Sequence, residues 1–76
     1  MGTSELSAAK KKLGTRIRTL RQQKGLTRVA LARTSGIRNT YLIKIERGNH
    51  DLRLGKLRDI ARTVGTTMSQ LLDGIL

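Results

Sequence analysis

In a chain with no proline, glycine sets the boundaries of every other element. Gly25, Gly36, Gly48 and Gly65 each follow a stretch of apolar residues at helical spacing. Glycine adopts the left-handed conformation that commonly closes a helix, so these four positions read as helix ends. Capping threonines follow two of them, Thr27 after Gly25 and Thr67 after Gly65. Thr67 with Gln70 three residues on also forms a capping box.

Five helices are predicted. The first runs from Ser7 to Lys24, with Ala9, Leu13, Ile17 and Leu20 on one face. The second spans Thr27 to Thr34 and buries Leu31 and Ala32. The third spans Asn39 to Arg47, with Leu42 and Ile45 inward and Tyr41 at the boundary. The fourth, Leu54 to Val64, carries Leu54, Leu57, Ile60, Ala61 and Val64 at helical spacing. The fifth is short, Met68 to Asp73. No stretch alternates with the two-residue period of a strand. The expected fold class is therefore all-α, a compact five-helix domain over residues 7–76, with residues 1–6 expected to be disordered.

Seventy-six residues make one domain. Cysteine is absent and His50 is the sole histidine, so neither a disulfide nor a zinc site is expected. No metal and no cofactor are expected. His50-Asp51 is an isolated pair with no nucleophile arranged around it, which argues against an enzyme. No apolar run is long enough to span a bilayer, and the start of the chain lacks a hydrophobic signal core, so a cytoplasmic location is expected.

Sixteen Lys and Arg against five Asp and Glu give a net charge of +11. Residues 1–38 hold ten of the bases and one acid, Glu5, so the positive field is concentrated in the first half. A polyanionic partner follows. Tyr41 is the sole aromatic residue, and single-stranded nucleic acids are bound on aromatic platforms that one tyrosine cannot supply. Duplex DNA leads.

Between the second and third helices the chain reads Thr34-Ser35-Gly36-Ile37. Glycine at the positive-φ position of a tight turn lets two helices cross steeply, and Ala32 is placed at the point of closest approach. Leu31, Ile37, Leu42 and Ile45 lie beneath, which leaves Arg38, Asn39, Thr40, Ile43, Lys44 and Arg47 outside. Asn bonds adenine bidentately, Arg bonds guanine, and Thr offers a hydroxyl and a methyl. Residues near the start of such a helix reach base edges, and later ones meet the backbone. Arg38, Asn39, Thr40 and Lys44 are accordingly assigned to bases. Arg28, Tyr41 and Arg47, with Lys12 and Arg16 of the first helix, are assigned to phosphates.

From Leu13-Gly14-Thr15-Arg16-Ile17-Arg18 to Leu71-Leu72 the sequence resembles the Cro/C1-type (Xre family) helix-turn-helix regulators of bacteria and phage. The matching residues are Ile17, Leu20-Arg21, Gly25-Leu26-Thr27, Leu31-Ala32, Ser35-Gly36, Leu42, Ile45-Glu46-Arg47-Gly48, Leu57, Ile60-Ala61, Gly65 and Leu71. Asn39-Thr40-Tyr41-Leu42 and Leu52-Arg53-Leu54 are similar to the controller proteins of restriction–modification systems. The resemblance implies a lambda-repressor-like domain that binds a palindromic operator as a homodimer and acts as a repressor or autoregulator. It also implies that Arg21 and Glu46 pair across the first and third helices. Leu72, Ile75 and Leu76 would supply the dimer contact, whereas Leu71 closes the core.

Four positions depart from the family pattern. Arg28 replaces a Gln that contacts phosphate and braces the recognition helix. Ala30 replaces a capping Glu, Arg53 replaces a capping Ser or Thr, and Asn39 replaces the Arg of many controller proteins. Two other readings of the same residues remain: a protein-interaction module of antitoxin type, and a non-specific architectural DNA binder.

Overall fold

The computed structural model describes residues 3–75. They form α1 (Thr3–Gln23), α2 (Arg28–Ser35), α3 (Asn39–Glu46), α4 (Leu54–Thr63) and α5 (Met68–Leu72), with no strand among the described residues. This is the expected all-α, lambda-repressor-like arrangement of five helices. α1 packs on α3 and α5, α2 packs on α3 and α4, and α4 packs on α5.

The helix ends are governed by local chemistry. Four helices close in the same way: the amide of Gly25, Gly36, Gly48 or Gly65 donates to the carbonyl three residues back. The following amide donates to the carbonyl five residues back, as in Leu26 to Arg21 and Ile37 to Ala32 (both 3.0 Å). Thr27 caps α2 by accepting from the Ala30 amide at 3.1 Å. The Thr67–Gln70 capping box forms in both directions at the start of α5. Arg38 and Arg53 stand at the N-caps of α3 and α4 and make no capping bond through their side chains. For α4 this is the consequence of having Arg53 where a hydroxyl would cap.

α1 begins at Thr3, four residues before the predicted Ser7. Glu5 lies in its first turn, where a negative charge meets the positive end of the helix dipole. The core consists of Ile17, Leu31, Ala32, Leu42, Ile45, Leu57, Ile60, Ala61, Val64 and Leu71, each from a helix face or end and none aromatic. Ser35, the one small polar side chain buried at the end of α2, donates to Thr63 Oγ1 (3.4 Å), and Thr63 in turn donates to the Asp59 carbonyl (2.8 Å).

Ala32 is 2% exposed, on the buried face of α2. Ala32→Val is expected to lower unfolding free energy by about 1–3 kcal/mol through overpacking. A urea titration checks this, and an unchanged midpoint would mean that the helices do not cross as tightly here as drawn.

Ile75 departs from expectation. It is 8% exposed and, after the positive-φ turn at Gly74, lines one cleft together with Leu6, Ala9, Leu13 and Leu57. It is therefore not the exposed contact residue that the sequence suggested. Leu72 remains half-buried, and Leu76 lies outside the described residues.

Candidate nucleic-acid interface

α3 presents two chemically opposite faces. Leu42, Ile45 and Glu46 are buried against the rest of the domain, and Ile43 is half-buried. Arg38, Asn39, Thr40, Lys44 and Arg47 are all exposed. The structure thus leaves the base-assigned side chains together on the outer face of a short helix whose inner face is fixed. An eight-residue helix is unstable alone, so this pose comes entirely from packing.

The turn that sets the pose is Gly36, at φ 69° and ψ 34°. Its amide and that of Ile37 close α2, and α3 starts two residues later at Asn39. A side chain at Gly36 would be strained by its backbone angle, and its Cβ would also meet Lys56 Nζ at 3.4 Å. Lys56 belongs to α4, so the turn is flanked by a base that local sequence does not place there. With Arg38 and Arg53 it lines a cleft of about 570 Å³ beside the turn. Arg53 and Lys56 were absent from the sequence-derived site. Only the packing of α4 behind α2 brings Lys56 to the turn, and no spacing signal reveals that.

The far end of α3 is anchored by charge. Glu46 has a side chain only 3% exposed. Arg21 of α1 donates to it from Nε at 2.7 Å and from Nη2 at 3.2 Å. Arg28 of α2 donates to the same carboxylate from Nε at 3.0 Å. One carboxylate thus holds three helices, and no buried polar side-chain atom among the described residues lacks a partner. Arg28, which stands where the family pattern has a Gln, thus contacts the end of α3 through Glu46.

Two residues assigned to phosphates make hydrogen bonds within the chain. Arg16 turns its Nη1 onto the carbonyls of Gln70, Leu71 and Asp73, the Leu71 bond being 3.1 Å. The last carbonyls of a helix lack intrahelical donors, and a guanidinium supplies them. Arg16 therefore ties α1 to the end of α5. Tyr41 donates its hydroxyl hydrogen to the Asp51 carbonyl at 2.9 Å, and its ring meets the edge of His50 at 4.8 Å between centroids. Its donor is used inside the chain, holding the α3–α4 loop against α3. Lys10 completes that clasp by pairing with Asp51 at 2.8 Å. The hydrogen bond and charge of Lys10 hold the Asp51 carboxyl below the usual carboxylate range. Lys12 of α1 is exposed, as are Arg28 and Arg47.

The profile of the helix-turn-helix domain family matches residues 12–73, which is most of the chain. The chain belongs to that family. Within it, this helix-turn-helix chain is 39% identical over 64 residues to the HTH-type transcriptional regulator DdrOP3 of Deinococcus deserti. The match takes in 84% of this chain and 50% of the relative, so the chain spans about half the length of that protein. Among solved structures, it superposes on the restriction–modification controller protein C.AhdI of Aeromonas hydrophila with a TM-score of 0.77 and 33% identity. That match covers 80% of this chain and 92% of the controller protein. The clp gene regulator ClgR of Corynebacterium glutamicum matches at a TM-score of 0.81 and 28% identity, over 84% of this chain and 68% of its own. The lambda-repressor/Cro-type fold expected from residues 13–72 is thus shared with regulators of known structure. Among the described residues no cluster of His, Asp or Glu could hold a metal ion, and no helix is long and apolar enough to cross a membrane.

Proposed function

We propose that this chain is a sequence-specific, duplex-DNA-binding transcriptional regulator of the bacterial or phage cytoplasm, a repressor or autoregulator that places α3 in the major groove. The observation that carries the reading is the exposed set Arg38, Asn39, Thr40 and Lys44 on a helix whose opposite face is locked by Leu42, Ile45 and Glu46. Base edges are discriminated only by donors and acceptors held in register, and that is what a rigid short helix provides. Arg28, Arg47 and Lys12 take backbone phosphates, and the net charge of +11 supplies the attraction. Two copies reading a palindrome would meet near the end of α5, where Leu72 is half-buried, each copy presenting the same surface.

The test is selection from random duplexes, followed by titration of the parent protein and an Asn39→Ala variant against the enriched site and a scrambled duplex. Asn39 sits in the first turn of α3, where a side-chain amide can bond one adenine. Its loss is expected to cost about 1–3 kcal/mol on the selected site and to relax preference at one base pair per half-site. Scrambled DNA should bind the variant as before. Equal weakening on both duplexes would remove direct readout by Asn39. No enrichment and no salt dependence for the parent protein would remove DNA as the partner and favour the protein-interaction reading.

A further inference from the structure

On the outer part of α3, Ile43 is the one side chain that neither donates nor accepts a hydrogen bond. Each helical residue turns by about 100°, so Ile43, next after the buried Leu42, is swung off the inner face formed by Leu42, Ile45 and Glu46. The residues one turn before and one turn after it, Asn39 and Arg47, lie on the same side and are exposed. Ile43, between them in this stripe, is half-buried. Ile37 and Tyr41, the other half-buried apolar side chains around α3, pack against the core cluster, and Ile43 takes no part in that packing. Its branched Cβ leaves essentially one side-chain rotamer in a helix, so its methyl groups are held at a fixed place on the α3 surface.

We infer that Ile43 is a further specificity-determining residue of α3, which reads the 5-methyl group of a thymine close to the adenine bonded by Asn39. The inference rests on the DNA-binding reading above and adds an apolar contact to its polar set. Thymine alone among the four bases carries a methyl group on its major-groove edge, and apolar side chains are the partners that recognise it. Amide and guanidinium groups read donors and acceptors and leave that methyl unread. Four residues of helix advance about 6 Å while base pairs stack about 3.4 Å apart, so Ile43 stands no more than about two base pairs from the contact of Asn39. Arg47, a further turn along, is then left to the phosphates. The stripe Asn39, Ile43, Arg47 thus runs from a polar base contact through an apolar one to the backbone. That order agrees with base contacts near the start of such a helix and backbone contacts further along.

The experiment uses the duplex enriched by selection and replaces each thymine of the half-site in turn by deoxyuridine. Deoxyuridine lacks only the methyl group and keeps the pairing edge and the O4 acceptor. The readout is the ratio of affinities for the thymine and uracil duplexes, measured for the parent, Ile43→Ala, Ile43→Val and Thr40→Ser. A partly unfolded variant binds both duplexes less well by the same factor, so a folding defect leaves the ratio alone. For the parent, one replacement per half-site should cost about fourfold, the worth of one buried methyl group. Ile43→Ala should bring that ratio close to one, and Ile43→Val, which keeps the branched Cβ, should retain most of it. Thr40→Ser removes the other methyl group that the outer face of α3 offers to a base, and should leave the ratio as in the parent. The inference is overturned if no thymine is sensitive, if Ile43→Ala keeps the parent ratio, or if Thr40→Ser abolishes it. A sensitive thymine more than about two base pairs from the one relaxed by Asn39→Ala overturns it as well. A parent protein that binds selected and scrambled duplexes alike overturns the proposed function itself, and this role for Ile43 falls with it; the parent's own discrimination tells the two failures apart.

Discussion

Gly14→Ala is expected to lower the melting temperature by more than about 10 °C, although alanine is the better helix former. In an exposed helix interior the same change would stabilise the chain by about 1 kcal/mol. Here packing reverses the sign. A Cβ on Gly14 would lie 2.3 Å from the carbonyl oxygen of Ile45, 2.7 Å from that of Glu46, and 2.9 Å from the Glu46 carbonyl carbon. All three are backbone atoms of a packed helix end and cannot rotate away. α1 must then lift from α3, which strains the Arg21–Glu46 pair and the Ile17 packing together. That places the cost at or above about 3 kcal/mol, the upper range for overpacking. In a domain this small each 1 kcal/mol moves the melting temperature by about 4–8 °C. Gly55 is the control: it lies in α4 with nothing within 4 Å of its Cβ position, so Gly55→Ala should be neutral or slightly stabilising. Thermal unfolding followed by circular dichroism checks both. If Gly14→Ala melts within two degrees or so of the parent, α1 does not approach α3 as closely as the geometry requires.

That contact marks where sequence reasoning ends. Gly25, Gly36, Gly48 and Gly65 could be read as helix ends because the signal is local: a loss of periodicity, then a residue that tolerates positive φ. Thr27 and the Thr67–Gln70 box were legible for the same reason, since a cap bonds within three residues of itself. Gly14 offers no such signal. It sits inside a periodic stretch, and its meaning depends on a helix that starts 25 residues later. Long basic side chains were harder still. Composition showed that α1 is cationic, but not that Arg16 would spend its donors on carbonyls 54 to 57 residues away. Nor could it show that Lys56 would reach the Gly36 turn. Arg28 illustrates the limit most clearly. The resemblance marked it as a departure from the family pattern, and only the fold reveals that its Nε contacts the end of α3 through Glu46.

Removing Arg21 should be the most damaging single change to the charged anchor of α3. Arg21 forms a two-point pair with a carboxylate that is 3% exposed, and its Nη1 also satisfies the Leu26 carbonyl where α1 turns toward α2. Arg21→Ala deletes all three bonds and opens a space between α1 and α3. Arg28 stays on Glu46 but reaches only one of its oxygens, so most of the buried charge loses its compensation. Breaking one side of a buried pair typically costs about 3–5 kcal/mol, because the remaining charge has lost water and gained nothing in exchange. The melting temperature should then fall by more than about 12 °C in a domain of this size. The paired replacement Arg21→Met with Glu46→Met separates two explanations for such a loss. If the damage comes from a stranded carboxylate, removing that carboxylate as well should recover a good part of the stability, since apolar groups of similar volume often replace a buried ion pair at little cost. If it comes instead from lost packing of the arginine stem, Arg21→Met alone should already be close to the parent. An Arg21→Ala variant that melts within a degree or two of the parent would mean that Glu46 is neither dry nor dependent on Arg21, and the anchoring of α3 would have to be assigned to apolar packing alone.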